Sequence, residues 1–122
     1  MSGSPTIRRG DVILAPIPFI QNPRQSKSRP VVVIQTDDTN EPRDQLIVAM
    51  ISSIIPRLRY PTHYYVSAQS AIGNAAGLWL DSIVMTETIM TIPKNTVQRI
   101  LGHFPADAMT TIDGCLKVSL AL

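Results

Sequence analysis

Apolar residues run along this chain in short continuous stretches, separated by polar, proline-containing segments. That pattern predicts a protein built mainly from strands. "DVILAPIPF" reads as a strand whose second half carries Pro16 and Pro18. Each proline removes a ladder donor, so the strand is expected at an edge or at a bend. "RPVVVIQT" and "QLIVAMISS" are continuous, rich in β-branched residues and bounded by polar ones, and both predict buried strands. "HYYVSA" reads as a third core strand, its tyrosines suited to a pleated surface. "DSIVMTETIMTI" alternates weakly and predicts one or two strands with a break near Glu87. The polar stretches "IQNPRQSKS", "DDTNEPRD" and "PRLRYPT" read as loops, and "IGNAAG" as irregular. "TVQRILGHF" fits a short helix or a last strand, so Thr96 to Phe104 stays open between the two.

The tail "PADAMTTIDGCLKVSLAL" changes period. Met109, Ile112 and Leu116 recur at helical spacing, and Pro105 suits a first helical position. Gly114 and the two threonines oppose a helix. The expected architecture is a small, strongly bent β-sheet or barrel carrying a C-terminal helix, in a single domain over residues 1–122. No internal repeat or low-complexity segment interrupts it.

Composition narrows the class. Apolar residues make up 44% of the chain and charged residues 16%, enough to bury a core and too apolar for disorder. A net charge of +2 permits nucleic-acid binding without demanding it. The distribution of charge says more. Arg24, Lys27 and Arg29 form one basic cluster and Arg57 and Arg59 another, with no acid interleaved in either. Two solvated loops account for these clusters as well as a binding surface does. Cys115 is the single cysteine, which rules out an internal disulfide, suits a reducing cytosol and reads as a buried structural thiol. No run reaches membrane-spanning length and no signal-peptide apolar segment follows the basic start, so a soluble, cytoplasmic protein is expected, with no membrane partner.

Several chemistries find no support. His63 and His103 are far apart, the lone cysteine has no partner, and no H-E-x-x-H, C-x-x-C or carboxylate cluster occurs, so no metal site is expected. There is no G-x-x-x-x-G-K, G-x-G-x-x-G or G-x-S-x-G, so no nucleotide cofactor and no serine-hydrolase elbow is expected. One arrangement remains. If the two central strands form an antiparallel hairpin with Thr36 opposite Gln45, Arg29 lies opposite Ser52 on the same face, with Cβ atoms roughly 5 Å apart. A one-residue slip would bring Ser53 or Ile51 there instead. A guanidinium beside a hydroxyl, flanked by basic loops, can grip a phosphodiester and stabilise the charge that grows on it during cleavage. A polar cross-strand pair at a solvated sheet edge is the competing account.

The blocks "RRGDVILAPIPF", "QSKSRPVVVIQTDD", "LIVAMISS" and "GLWLDSIVMTETI", in that order and spacing, resemble those of the MazF/PemK-type toxins of bacterial toxin–antitoxin systems. The resemblance runs from about Arg9 to the C-terminal helix, and its most specific parts are the R-G-D start and the R-P that opens a hydrophobic strand. It implies a mainly β fold with α, an SH3-like, partly open barrel of the CcdB/MazF kind with a C-terminal helix, assembled as a homodimer. It implies metal-independent, sequence-selective endoribonuclease cleavage of single-stranded RNA, without a cofactor, leaving a cyclic phosphate and a 5′-hydroxyl.

The family's catalytic Arg and its Thr or Ser match Arg29 and Ser52. By the same resemblance Ser53 assists, and the loops carrying Gln25, Lys27, Arg57 and Arg59 wall the RNA groove. Glu87 and Thr88 match a polar pair facing that groove, although a structural role suits Glu87 equally. A cognate antitoxin is implied, threading a disordered acidic segment over the groove, with DNA reached only through that partner. Two features depart from the family: Ser52 stands where Thr is frequent, and "PRQSKS" stands where many members carry an acid and glycines. The match assigns no role to His63, an acid or base candidate beside the basic loop, and His103, Tyr64 and Tyr65 read as structural. The alternative on the same fold is a non-enzymatic, CcdB-like poison of DNA gyrase. That activity is tied to an aromatic C-terminal end, whereas this chain ends "KVSLAL" with Trp79 far upstream. An inactive SH3-like binding module is a third possibility.

Overall fold

The structure, a computed structural model, describes residues 6–19, 21–37 and 44–122. Six strands, β1 (Asp11–Pro18), β2 (Ser26–Val33), β3 (Gln45–Ser52), β4 (His63–Val66), β5 (Ser82–Pro93) and β6 (Arg99–His103), form one sheet in the order β4-β5-β3-β2-β1-β6. Every adjacent pair is antiparallel. A short helix α1 (Ala71–Ala75) precedes β5, a 3₁₀ turn (Lys94–Thr96) precedes β6, and helix α2 (Ala106–Leu120) ends the chain. The mainly β class with a C-terminal helix is the expected one. β4 and β6 stand at opposite ends of the strand order, so the sheet stays open.

The β2–β3 hairpin pairs Val31 with Met50, Val32 with Ala49 and Val33 with Val48. This is the offset in which Thr36 faces Gln45. Most of the connecting loop "DDTNEPRD", residues 38–43, lies outside the described residues. Gln35 closes the hairpin from its buried position: Nε2 donates to the Gln45 carbonyl at 3.1 Å and Oε1 accepts from the Ile47 N–H at 3.2 Å. Its amide is therefore satisfied where water is excluded.

Four elements refine or correct the sequence reading. β1 is interior, between β2 and β6, but β6 pairs only with Asp11 to Leu14. The half that holds Pro16 and Pro18 is paired on the β2 side alone, so their missing N–H groups leave no gap in a ladder. "HYYVSA" is not a core strand: β4 is short and lies at the sheet edge, with Tyr65 exposed. β5 is one strand, and the break near Glu87 is a bulge. Ile89 faces Ala49 while Met85 faces Met50, leaving Thr86, Glu87 and Thr88 over. "TVQRILGHF" resolves to the strand β6, and "IGNAAG" is not irregular but holds α1, whose N-cap Ser70 accepts from the Gly73 N–H at 3.0 Å.

α2 lays Ala108, Met109, Ile112 and Leu116 onto a cluster with Val12, Val32, Ala49, Val84 and Phe104. Pro105 is its N-cap rather than its first helical residue. A second cluster gathers Ile13, Ile17, Val31, Val33, Leu46, Val48 and Ile92. Successive valines of β2 thus enter different clusters, and a strand buried on both faces must be apolar at every position. Arg9 ties the start of the fold to its end, donating Nε–H to the Ile34 carbonyl at 2.9 Å and pairing with Asp113 of α2 at 2.7 Å.

Candidate functional site

Beyond the Val31–Met50 pair the central hairpin parts. β2 continues along β1, with Arg29 opposite Ala15, while β3 continues along β5, with Ser52 opposite Ile83. The gap between the diverging strands is a cleft of about 380 Å³ lined by Arg29 and Ser52. Arg29 and Ser52 do not form the cross-strand pair expected across the hairpin: the ladder between β2 and β3 ends two positions earlier, and the two residues share the cleft without being paired.

Arg29 is half-buried, and its guanidinium lies over the Phe19 ring at 5.7 Å, a cation–π contact that steadies a long side chain. Ser52 is half-buried at the end of β3, and its Oγ accepts from the Ile54 N–H at 3.1 Å. That bond occupies an oxygen lone pair and leaves the hydroxyl hydrogen able to donate. Lys27 and Ser53 line the same cleft, Lys27 from within β2, where it pairs with Ile17, rather than from the expected loop. Ile51, Leu78 and Leu101 supply an apolar part of the wall. Among the described residues no carboxylate and no imidazole lines it. Cations and hydroxyls against apolar walls focus a positive potential, the field that attracts a polyanionic strand.

Other residues expected at the site stand apart from the cleft. Gln25 sits in the turn between β1 and β2, its N–H donating to the Asn22 carbonyl and its carbonyl accepting from the Phe19 N–H, each at 3.0 Å. Arg57 and Arg59 are exposed on the loop after β3, and the Arg59 guanidinium lies 4.8 Å over the ring of Tyr65 on β4. Arg59 borders a second, smaller depression with Tyr60 and His63. Glu87 and Thr88 fall in the β5 bulge, where Glu87 Oε2 meets His63 Nε2 at 2.7 Å. Burial pushes the Glu87 carboxyl up, but the bond from His63, helped by Thr62 and backbone, outweighs it and holds the carboxyl below its ordinary value. His103 is held through Nδ1 by the buried Asp11 carboxylate at 2.7 Å, also away from the cleft. Burial raises the Cys115 thiol and, with smaller contributions from Asp107 and Cys115, the Tyr64 hydroxyl, so neither is an activated nucleophile.

The charged and aromatic lining residues that the sequence reading did not assign to the site are Arg99 and Trp79. Arg99 arrives from β6, and Trp79 from the segment between α1 and β5. A strand reading of "TVQRILGHF" would have made Arg99 a sheet residue, but nothing local places that strand beside β1. No helix among the described residues is long and apolar enough to cross a membrane, and no cluster of His, Cys, Asp and Glu able to hold a metal ion occurs among them.

The fold is shared with solved structures at low sequence identity. A mycobacterial protein described as an endoribonuclease in complex with its cognate antitoxin superposes with a TM-score of 0.74 at 17% identity, covering 95% of this chain and 96% of that one. The Mycobacterium tuberculosis toxin MazF-mt6 gives 0.72 at 20% identity, covering 92% and 97%. A Deinococcus radiodurans MazE–MazF structure gives 0.71 at 16% identity, covering 98% and 99%. The family profile described as "PemK-like, MazF-like toxin of type II toxin-antitoxin system" matches residues 8–120, nearly the whole chain. With the sheet, the α2 stripe and the Arg29–Pro30 step, which lies inside β2 rather than opening it, all falling inside that match, the chain belongs to the PemK-like, MazF-like toxins of type II toxin–antitoxin systems.

Proposed function

We propose that the protein is an endoribonuclease that cuts single-stranded RNA selectively and without a metal ion, and that a cognate antitoxin neutralises it. The observation that carries this reading is the placement of Arg29 and Ser52 in one cationic cleft, at the point where β2 and β3 separate. Membership of the toxin family supports it.

The chemistry follows from the groups present. The nucleophile is the substrate's own ribose 2′-hydroxyl. Its oxygen gives up its proton to solvent water and bonds to the adjacent phosphorus as the bond to the 5′-oxygen, which is protonated in turn from water, breaks. One fragment keeps a 2′,3′-cyclic phosphate, and the departing 5′-oxygen takes up a proton to become a hydroxyl. Negative charge builds on the non-bridging oxygens along the way. Arg29 offers a planar fork of N–H donors to that charge and stabilises it. Ser52 donates its hydroxyl hydrogen to a non-bridging oxygen, and Ser53 stands beside it. Lys27 holds a neighbouring phosphate. With no imidazole or carboxylate among the described lining residues, the rate enhancement rests on positioning and electrostatic stabilisation.

Gln25, Arg57, Arg59, Glu87 and Thr88 contact nucleotides beyond the cleft, in a groove completed by a second copy of the chain. The antitoxin covers the same cationic surface with an acidic segment that folds on binding, and DNA is reached only through that partner.

Primer extension on a long RNA treated with the purified protein tests the reading. Cuts recur at one short sequence, the downstream fragments carry 5′-hydroxyl ends, and cleavage persists in EDTA. Intact RNA would overturn the proposal in favour of a toxin that acts by binding protein, and loss of cutting in EDTA would overturn its metal independence.

A further inference from the structure

Trp79 is the only tryptophan of the chain, it is 83% exposed, and it stands in the wall of the cleft. A single exposed apolar residue needs no explanation by itself. What sets Trp79 apart is that the chain on both sides of it is pinned. Before it, Gly77 adopts a left-handed φ of 73° and sits so close to β6 that a Cβ there would lie 2.2 Å from the Leu101 carbonyl oxygen. Leu78 is buried and donates its N–H to the Gly73 carbonyl at 3.0 Å. After it, the Asp81 carboxylate accepts from the Ala68 N–H at 2.9 Å and from the Tyr65 hydroxyl at 3.2 Å. Ser82 Oγ donates to the Leu80 carbonyl at 2.7 Å. The indole is thus carried on a braced turn and left uncovered, in a cleft whose charged residues Lys27, Arg29 and Arg99 are all cationic.

We infer that Trp79 is a stacking platform for a base of the bound RNA strand, and that Arg99 holds the phosphate next to that base. This rests on the reading of the cleft as an RNA-cutting site. The occupant is a nucleotide on grounds of chemistry. An apolar peptide would strip water from three cations and leave them unpaired. An acidic peptide would satisfy the cations but has no flat face for the indole. A single-stranded nucleotide has both parts, a base with a π-face and a phosphate about one residue away, and stacking on aromatic side chains is how such strands are held. Arg99 comes from β6, at one end of the strand order, so the cleft beside the indole gathers cations from β2 and β6.

The single tryptophan makes the test direct, because indole emission reports on Trp79 alone. The probe is a mixed-sequence deoxyribose oligonucleotide with a fluorescent end label, which lacks the 2′-hydroxyl and is not cut. Its anisotropy and the indole emission are followed in one titration, repeated with a 2′-O-methyl strand. The expected result is saturable quenching with the midpoint seen by anisotropy. Trp79→Ala, folded by circular dichroism, weakens binding and raises KM for RNA about tenfold, and Trp79→Phe recovers most of the loss. Arg99→Gln lowers the slope of log affinity against log salt by about 0.7, one phosphate contact on a single strand. Binding with unchanged indole emission, cleavage by Trp79→Ala at wild-type KM, or binding of neither strand overturns the inference. Quenching by the oligonucleotide with no cleavage of RNA by the wild-type protein overturns the catalytic reading and leaves the stacking platform standing.

Discussion

Three glycine-to-alanine variants separate backbone contact from backbone conformation, and they test how firmly the wall of the cleft is built. At Gly77 an added Cβ meets the Leu101 carbonyl oxygen at 2.2 Å, and φ is +73°. The left-handed conformation costs alanine about 1 kcal/mol, and relieving the overlap by backbone movement costs about 1–3 kcal/mol more. At Gly102 φ is not in the positive range, so only overlap acts: the Cβ meets the carbonyl oxygen of Ala75 at 2.3 Å and the carbonyl carbon of Ala76 at 2.5 Å. At Gly114, inside α2, nothing lies within 4 Å of the added Cβ, and alanine gains up to about 1 kcal/mol of helix propensity. For a chain of 122 residues about 1 kcal/mol corresponds to roughly 4 °C in Tm. The expected shifts are about +2 to +4 °C for Gly114→Ala, −4 to −12 °C for Gly102→Ala and −8 to −16 °C for Gly77→Ala. Thermal denaturation followed by far-ultraviolet circular dichroism reads all three. If Gly77→Ala and Gly102→Ala both melt with the wild type, β6 is not pressed backbone to backbone against the segment that carries Trp79. The braced turn would then not exist.

Arg29→Ala should reduce RNA cleavage by at least about 100-fold without changing Tm by more than a degree or two, and Arg29→Lys should restore only part of it, because the point charge lacks the fork. Ser52→Thr should retain most activity and Ser52→Ala should lose about tenfold or more, and wild-type rates from both Arg29→Ala and Ser52→Ala would remove these residues from the chemistry. The Glu87 carboxyl is held below its ordinary value of 4.5, so the fold gains from the ionised form above that range and loses the gain as pH falls through the lowered value. Wild type should therefore melt above Glu87→Gln at about pH 6, with the difference shrinking as pH falls below the ordinary carboxylate range, and a difference that grew in acid would contradict the pairing with His63. Phe104 is fully buried against α2, and Phe104→Ala should cost about 3–5 kcal/mol in urea denaturation, a loss below about 1 kcal/mol showing that the site collapses or is not packed.

Much of the fold was legible because it is written in local patterns. The runs Val31 to Val33 and Leu46 to Ile51 announced strands, and the spacing of Met109, Ile112 and Leu116 announced the helix stripe. A hairpin between sequential strands has few registers, and the one assumed from the sequence, with Thr36 opposite Gln45, is the offset that the Val31–Met50 to Val33–Val48 pairs show. Edge elements were less legible. The tyrosines of β4 suit a core strand or an edge strand equally, and only the strand order assigned the edge.

The sequence by itself thus determined the strand-rich class and the register of the central hairpin. The tertiary structure alone decided which groups share the cleft. It directed Arg59 onto Tyr65 and Glu87 onto His63, away from the cleft, and it brought Arg99 in from the far end of the chain and left Trp79 uncovered. The reason is the range of the forces involved. Periodicity and hairpin closure act over a few residues, whereas the position of β6 beside β1 and the stance of Trp79 depend on backbone contacts, Gly77 on Leu101 and Gly102 on Ala75, that no local pattern encodes.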